Sequence, residues 1–170
     1  MKTPFLNEIE SSKIESIKII FFDFDGVFTD NHVYTSEEGT EFVKSYRSDG
    51  IGLSRLREQG FILHIVSTEK NPVVAARSEK LKIKCSHGVQ NKDDEVLRIC
   101  KKYSIDAINA AFVGNDINDI SAFKVVGLPI GVANSYKETL PYLSFITKRN
   151  GGYGAVREIC DIFVNKKIKT

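Results

Sequence analysis

The sequence predicts an α/β protein built on a mainly parallel, doubly wound sheet. Six short apolar runs recur along the chain, and segments with helical period separate most of them. The exception is a pair of β-leaning runs directly after the first apolar run, which read as a hairpin and not as a crossover helix. With 170 residues, 42% hydrophobic and 27% charged, the chain suits a single domain over 1–170 and can bury a core without disulfides or a structural metal.

The elements follow in order. Met1–Ser16 is polar, with Phe5, Leu6, Ile9 and Ile14 as its apolar anchors, and reads as a loosely held lead-in. Ile17–Phe22 is nearly continuous in β-branched and aromatic residues, the pattern of a strand covered on both faces. His32–Ser36 and Glu41–Ser45, joined by Glu37-Glu38-Gly39-Thr40, form the hairpin, placed where a flap over a site would be useful. Gly50–Gln59 is a helix with Ile51, Leu53 and Leu56 inward and Gly60 as its C-terminal cap. After the strand Phe61–Val66, a helix over Pro72–Leu81 has proline at its first position, where the missing N–H costs nothing. A strand at Ile83–Cys85 precedes the helix Lys92–Tyr103, which opens on Asp93, Asp94 and Glu95 and buries Val96, Leu97, Cys100 and Tyr103. Ala110–Val113 and Leu128–Val132 are strands around a short helix, Ile117–Val126. A further short helix over Ser135–Tyr142 leads to a weak strand, Phe145–Thr147. The last unit, 148–170, is a glycine-rich segment and a helix, Gly154–Val164, with Val156, Ile159, Cys160 and Phe163 on one stripe.

Composition excludes several functional classes. A net charge of +2 implies no large basic surface for nucleic acid or membrane. The longest stretch without Asp, Glu, Lys or Arg is Val125–Tyr136, twelve residues, short of the ~20 that span a bilayer. Lys2, Glu8, Glu10 and Lys13 leave no apolar core for a signal peptide at the N-terminus. Cys85, Cys100 and Cys160 are odd in number and far apart, which fits a reduced, cytoplasmic protein. Lys166–Lys169 reads as a solvated end.

The chemistry lies at strand ends. The first strand runs into Asp23-Phe24-Asp25-Gly26-Val27-Phe28-Thr29-Asp30, with Asp23 and Asp25 on one side, at the carboxyl end where open α/β sheets bind ligands. Two carboxylates ~4 Å apart repel by ~4 kcal/mol at an effective dielectric of about 20, so they need a cation or a shared proton. Magnesium, hard and oxygen-seeking, is the natural cation. Gly26 lets the backbone approach a phosphate closely, although Asp and Gly are also ordinary turn residues. Phe112-Val113-Gly114-Asn115-Asp116-Ile117-Asn118-Asp119 is a second strand ending in glycine and acids, able to complete an oxygen cage beside the first. Asp116 equally suits the N-cap of the following helix. Ser67 and Thr68 put hydroxyls at the tip of a third strand, and Lys92 begins a helix facing a prospective dianion. His64, within an apolar strand, reads as a core histidine, and His32 and His87 as surface residues. Gly151–Gly154 lacks the Lys-Ser/Thr pair of a phosphate loop.

The order acid pair, hydroxyl, lysine, acid cluster resembles that of the haloacid dehalogenase superfamily, from Ile17 to about Val164. Asp23 and Asp25 match its first motif, Ser67 its second, Lys92 its third and Gly114–Asp119 its fourth. More narrowly, the chain is similar to the small cap-less phosphatases of 3-deoxy-octulosonate 8-phosphate and of nonulosonate 9-phosphates. It also resembles the phosphatase-like tail domain of some sialic acid cytidylyltransferases. Asp25–Asp30, Ser48-Asp49-Gly50-Ile51-Gly52 and Gly151-Gly152-Tyr153-Gly154-Ala155-Val156-Arg157-Glu158 carry that likeness.

The resemblance implies a Rossmann-like sheet with a hairpin flap and no cap domain, and a magnesium-dependent sugar phosphatase. It makes Asp23 the nucleophile, Asp25 the acid and base, and Ser67 and Lys92 the groups that stabilise the transition state. Asp23, Asp25 through its main-chain carbonyl, Asn115 and Asp116 are its metal ligands, and Gly26, Thr68, Glu69, Lys80 and Asp119 contact the substrate. Most active members have Asp where this chain has Asn115, whose amide oxygen can bind magnesium but adds no charge. Ser67-Thr68-Glu69-Lys70 replaces the Thr-Gly-Arg of the octulosonate enzymes, and Glu69 with Lys80 looks like the nonulosonate branch. The resemblance further implies a homotetramer with sites shared between chains. The alternative it offers is a non-catalytic oligomerisation or regulatory module.

Overall fold

In the computed structural model, the described residues form eight strands: β1 Ile19–Phe22, β2 Thr29–Thr35, β3 Glu41–Ser45, β4 Ile62–Val66, β5 Lys84–Ser86, β6 Ala110–Gly114, β7 Leu128–Gly131 and β8 Phe145–Ile146. The structure describes residues 3–167. Met1 and Lys2 of the lead-in, and residues 168–170 with Lys169 of the lysine-rich end, lie outside the described residues. Six strands form one sheet in the order β5-β4-β1-β6-β7-β8, every neighbouring pair parallel, while β2 and β3 pair antiparallel as a separate ribbon. Only that hairpin intervenes between β1 and the next helix, so there is no cap domain.

The helices are α1 Ser11–Ser16, α2 Asp49–Glu58, α3 Val73–Leu81, α4 Lys92–Lys102, α5 Ile120–Val125 and α6 Ala155–Lys167. Alternation along β1 divides the core. Ile20 and Phe22 join Leu53, Leu56, Val74, Leu81, Ile159 and Phe163 from α2, α3 and α6. Ile19 and Phe21 join Val96, Ile99, Ala122 and Phe123 from α4 and α5 on the other face. The inner strands β4, β1, β6 and β7 are covered on both sides, which is why they read as nearly unbroken apolar runs.

Four expectations are corrected. The lead-in is fastened, because Leu6, Ile9 and Ile14 are all buried and Ile146 donates its N–H to the Pro4 carbonyl. Ile51 and Leu97 point to solvent, since neighbouring helix positions are about 100° apart and Leu53 and Val96 take the inward places. Ser135–Tyr142 forms turns, with only Leu140–Tyr142 helical, because the Tyr136 amide bonds the Asn115 carbonyl and the Thr139 hydroxyl bonds the Tyr136 carbonyl. Lys166 and Lys167 are tied down: Lys166 bonds the Ile9 carbonyl and Lys167 the Gln59 carbonyl at 2.7 Å. Among the described residues no helix is long and apolar enough to cross a membrane, and the three cysteines are free thiols.

Candidate active site

The tips of three adjacent strands, β4, β1 and β6, carry the residues singled out from sequence. The Asp23 N–H donates to the Val113 carbonyl at 2.8 Å, which extends the β1–β6 ladder and sets Asp23 at the carboxyl edge. Lys92, the first residue of α4, is 1% exposed and reaches back under this edge. Its Nζ lies 2.8 Å from Asp23 Oδ1 and 2.6 Å from Asp119 Oδ1. Burial works against the Lys92 ammonium, but the charges of Asp23 and Asp119 outweigh it and hold its pKa above the ordinary lysine value. Burial, and then the charge of Asp119, raises the pKa of Asp23.

Asp119, expected at the substrate, is fully buried, so the structure corrects that assignment. Its Oδ1 takes Lys92, and its Oδ2 accepts the N–H groups of Asn115 at 2.8 Å and Asp116 at 3.2 Å. It therefore anchors both the lysine and the tip of β6. Asp116 is half-buried and its Oδ1 accepts the Ile117 N–H at 2.6 Å, the N-cap role open to it from sequence. Asn115 is 4% exposed, and its Oδ1 is buried without a hydrogen-bond partner.

The loop after β1 turns at Gly26, where φ is +75°. Thr29 Oγ1 accepts the Gly26 N–H at 3.1 Å and donates to Asp25 Oδ1 at 3.4 Å. Burial, and then the charge of Glu69, raises the pKa of Asp25. The glycines near the C-terminus close on this loop and do not form a phosphate loop. Gly151 packs so tightly on the Gly26 carbonyl that a Cβ there would collide with it, and the Gly152 N–H donates to the Val27 carbonyl at 3.0 Å. Nothing in the sequence pattern shows that clamp, although both segments carry the family likeness.

At the tip of β4, Ser67 is 1% exposed and its Oγ accepts the Glu69 N–H at 3.1 Å. Thr68 is exposed, and its Oγ1 accepts the Nδ2–H of Asn118 at 3.3 Å. Asn118 thus bridges the second and fourth motifs; its place between Asp116 and Asp119 was the signal for it. Glu69 stands near enough for its charge to act on Asp25, whereas Lys80 stands two turns along α3 from Val73, outside the Asp23 cluster. Lys80 lines a separate cavity of about 310 Å³ with Ser45, Arg47, Gly50, Arg77 and Leu81. His64 is a core histidine whose Nε2 lies 3.0 Å from Ser86 Oγ, and His32 and His87 are exposed.

A wholly parallel sheet with carboxylates at the tips of two central strands, joined by one buried lysine, defines a class of hydrolase. Residues 57–159 match the haloacid dehalogenase-like hydrolases. The chain is 30% identical over 156 residues to the 3-deoxy-D-manno-octulosonate 8-phosphate phosphatase of Escherichia coli K12, covering 90% of this chain and 82% of that enzyme. The chain belongs to that hydrolase family and is a phosphatase. Among solved structures, a haloacid dehalogenase-family hydrolase from Streptomyces avermitilis is 41% identical with a TM-score of 0.85, over 88% of this chain and 86% of that one. The octulosonate 8-phosphate phosphatase of Moraxella catarrhalis, in complex with magnesium, phosphate and KDO, is 32% identical with a TM-score of 0.90, over 96% and 94%.

Proposed function

We propose that this phosphatase removes the phosphate of a keto-deoxy sugar acid, an octulosonate 8-phosphate or a nonulosonate 9-phosphate, through an aspartyl phosphate on Asp23. The observation that carries the reading is the Asp23 carboxylate held at the tip of β1 by the buried Lys92 ammonium at 2.8 Å. The Escherichia coli and Moraxella relatives support an octulosonate, and Glu69 supports the nonulosonate.

The donor set fits magnesium. Among the described residues no three His, Cys, Asp or Glu side chains converge as a metal site, and amide and main-chain oxygens with water would complete the coordination of an ion here. The partnerless, buried Oδ1 of Asn115 is such an oxygen. Asp23, the Asp25 main-chain carbonyl and Asn115 would hold the ion, with Asp116 beside them, and magnesium keeps several waters and needs few protein ligands. When bound it neutralises charge between the carboxylate and the phosphate.

The chain's own groups supply the remaining chemistry. An Asp23 oxygen bonds to phosphorus as the bond from phosphorus to the sugar oxygen breaks, and Asp25 gives that oxygen its proton. Asp25 then takes a proton from the water that hydrolyses the aspartyl phosphate. Its raised pKa favours the protonated form that the first step requires. Lys92 has a third N–H beyond its two ion pairs and, with Ser67 and the amides near Gly26, offsets charge on the phosphoryl oxygens. Thr68 and Glu69 receive the sugar.

The mouth of the site has no cap, and the hairpin presents exposed Val33, Tyr34 and Phe42. These support a homotetramer in which neighbouring hairpins cover each site, with the Arg47, Arg77 and Lys80 cavity suited to the sugar carboxylate of a neighbour's substrate. A second reading, a non-catalytic module, rests on the uncharged Asn115. Phosphate release from a panel of sugar acid phosphates, with magnesium and with EDTA, separates the two. Magnesium-dependent release that disappears in Asp23→Asn supports the phosphatase; no release from a folded wild-type protein favours the module.

A further inference from the structure

In the loop between β4 and α3, Asn71 takes part in three hydrogen bonds. Asn71 gives its main-chain N–H to Glu69 Oε1 at 2.7 Å, and its Oδ1 accepts the Val73 N–H at 3.0 Å. Both bonds are local: they curl the loop and start α3. A third bond leaves the loop altogether. Asn71 Nδ2 donates to Glu41 Oε2, on the flap, at 2.9 Å.

The flap needs such a tie. Its two strands share no ladder with the main sheet, and an isolated two-stranded ribbon is marginal by itself. Near its root, Lys44 pairs with Asp30 at 3.2 Å and lies over the Tyr153 ring. Toward the turn, Glu41 is the first residue of β3 and the register partner of Thr35. On the other side of the same loop, the Glu69 N–H meets the Ser67 hydroxyl oxygen, and the Glu69 carboxylate is folded back onto the amides of Lys70 and Asn71. One asparagine therefore grips the flap on one side and, on the other, the turn that orients Ser67.

We propose that Asn71 is a positioning residue that latches the hairpin flap to the Ser67 loop, so that one contact sets both the flap over the mouth and the direction of the Ser67 hydroxyl. Its kinetic consequence rests on the phosphatase reading; the latch itself does not. Neither Asn71 nor Glu41 hydrogen-bonds to Asp23, Asp25, Lys92 or Asp119, although the Glu41 charge reaches Asp25, so Asn71 acts through Ser67 and the flap.

A reversal of the bond tests it. N71D keeps the main-chain N–H and the oxygen that accepts from Val73, but sets a carboxylate against Glu41. In N71D/E41Q the glutamine amide can donate to that new carboxylate, and the bond is restored with its direction inverted. E41A removes the acceptor from the exposed side and leaves α3 untouched. On the full chain, amide hydrogen exchange over residues 29–45 is measured together with kcat and KM for phosphate release. N71D and E41A should each speed flap exchange about tenfold and raise KM by a similar factor, the loss expected for one charge-assisted hydrogen bond. N71D/E41Q should recover both to within about threefold of wild type. Wild-type exchange in N71D and E41A, or no recovery in the double variant, overturns the latch. If wild type itself releases no phosphate, the phosphatase reading falls, while the exchange measurement still decides the latch.

Discussion

The Asn115 carboxamide packs directly on the Cα of Gly26, so that a Cβ at residue 26 would lie 2.6 Å from Asn115 Cγ. The first and fourth motifs are therefore joined by the absence of a side chain, and Gly26 serves by what it leaves open. Gly26→Ala should fail twice. Its φ of +75° costs an alanine about 1–2 kcal/mol, and the methyl must displace Asn115. A melting temperature lower by several degrees and loss of nearly all phosphate release are expected. Wild-type values for both would remove this account of the glycine.

Lys92 holds two buried carboxylates, at 2.8 and 2.6 Å. Lys92→Met fills the space but leaves Asp23 and Asp119 without their cation. Breaking a buried pair by removing one partner costs about 3–5 kcal/mol. Urea denaturation should show a loss of that order, and Lys92→Met combined with Asp119→Asn should recover part of it. A single variant as stable as wild type would mean that the carboxylates are neutral in the folded protein.

Asn115→Asp should tighten magnesium binding, because it adds a charge at a buried side-chain oxygen that lacks a partner. Isothermal titration with magnesium chloride checks it, with a gain of several-fold expected. The same variant without metal should be less stable, since a third carboxylate joins Asp23 and Asp119. Unchanged or weaker magnesium binding would mean that Asn115 does not face the ion.

What the sequence disclosed follows from burial. The inner strands β4, β1, β6 and β7 were legible because a strand covered on both faces has no polar side to break the pattern, whereas the edge strands β5 and β8 are only partly covered. Asp23, Ser67, Lys92 and Asn115 were legible because each stands at the end of such a strand or the start of a helix, and the structure brings them together. The direction in which each acid faces was not. Asp116 and Asp119 are three residues apart in one motif, yet one caps a turn and the other is buried against Lys92. That difference is made by a lysine 27 residues away, which no local pattern contains. Lys80 and Glu69 likewise lie on one loop-and-helix segment, but the Glu69 charge reaches Asp25 while Lys80 lines a separate cavity. The cover of the lead-in is hidden from the sequence for the same reason: its three buried side chains, Leu6, Ile9 and Ile14, join a core shared with α6, and Phe5 bridges to Ile146 of β8, at the far end of the chain.

The exposed face of the flap tests the assembly proposal. Tyr34 and Phe42 are cross-strand partners, 58% and 59% exposed, on a ribbon with no other sheet to support it. Tyr34→Ser with Phe42→Ser should shift the mass seen by light scattering from tetramer toward smaller species, and raise KM if neighbours cover the site. A monomeric wild type, or a double variant of unchanged mass, would remove the claim.

Asp49 makes the stability of this protein depend on pH. It stands at the start of α2, is 1% exposed, and accepts the Arg157 N–H of α6 at Oδ1 while its Oδ2 has no partner. Burial pushes its pKa from an ordinary 3.8 up to about 7; the Arg157 amide and the charges of Arg77, Arg157 and Arg149 pull the other way but do not prevail. Between those values the folded protein holds a proton that the unfolded chain has released. The contribution is fully present below about pH 4, shrinks as pH rises, and is gone above about pH 7. A change of that size corresponds to at most roughly 4 kcal/mol. Asp49→Asn keeps an oxygen for the Arg157 amide and cannot ionise, so it should melt several degrees above wild type at pH 8, and the two curves should converge toward pH 4. A wild-type advantage at pH 8, or a constant difference across the range, would show that Asp49 is ionised in the fold and paired with one of its arginines.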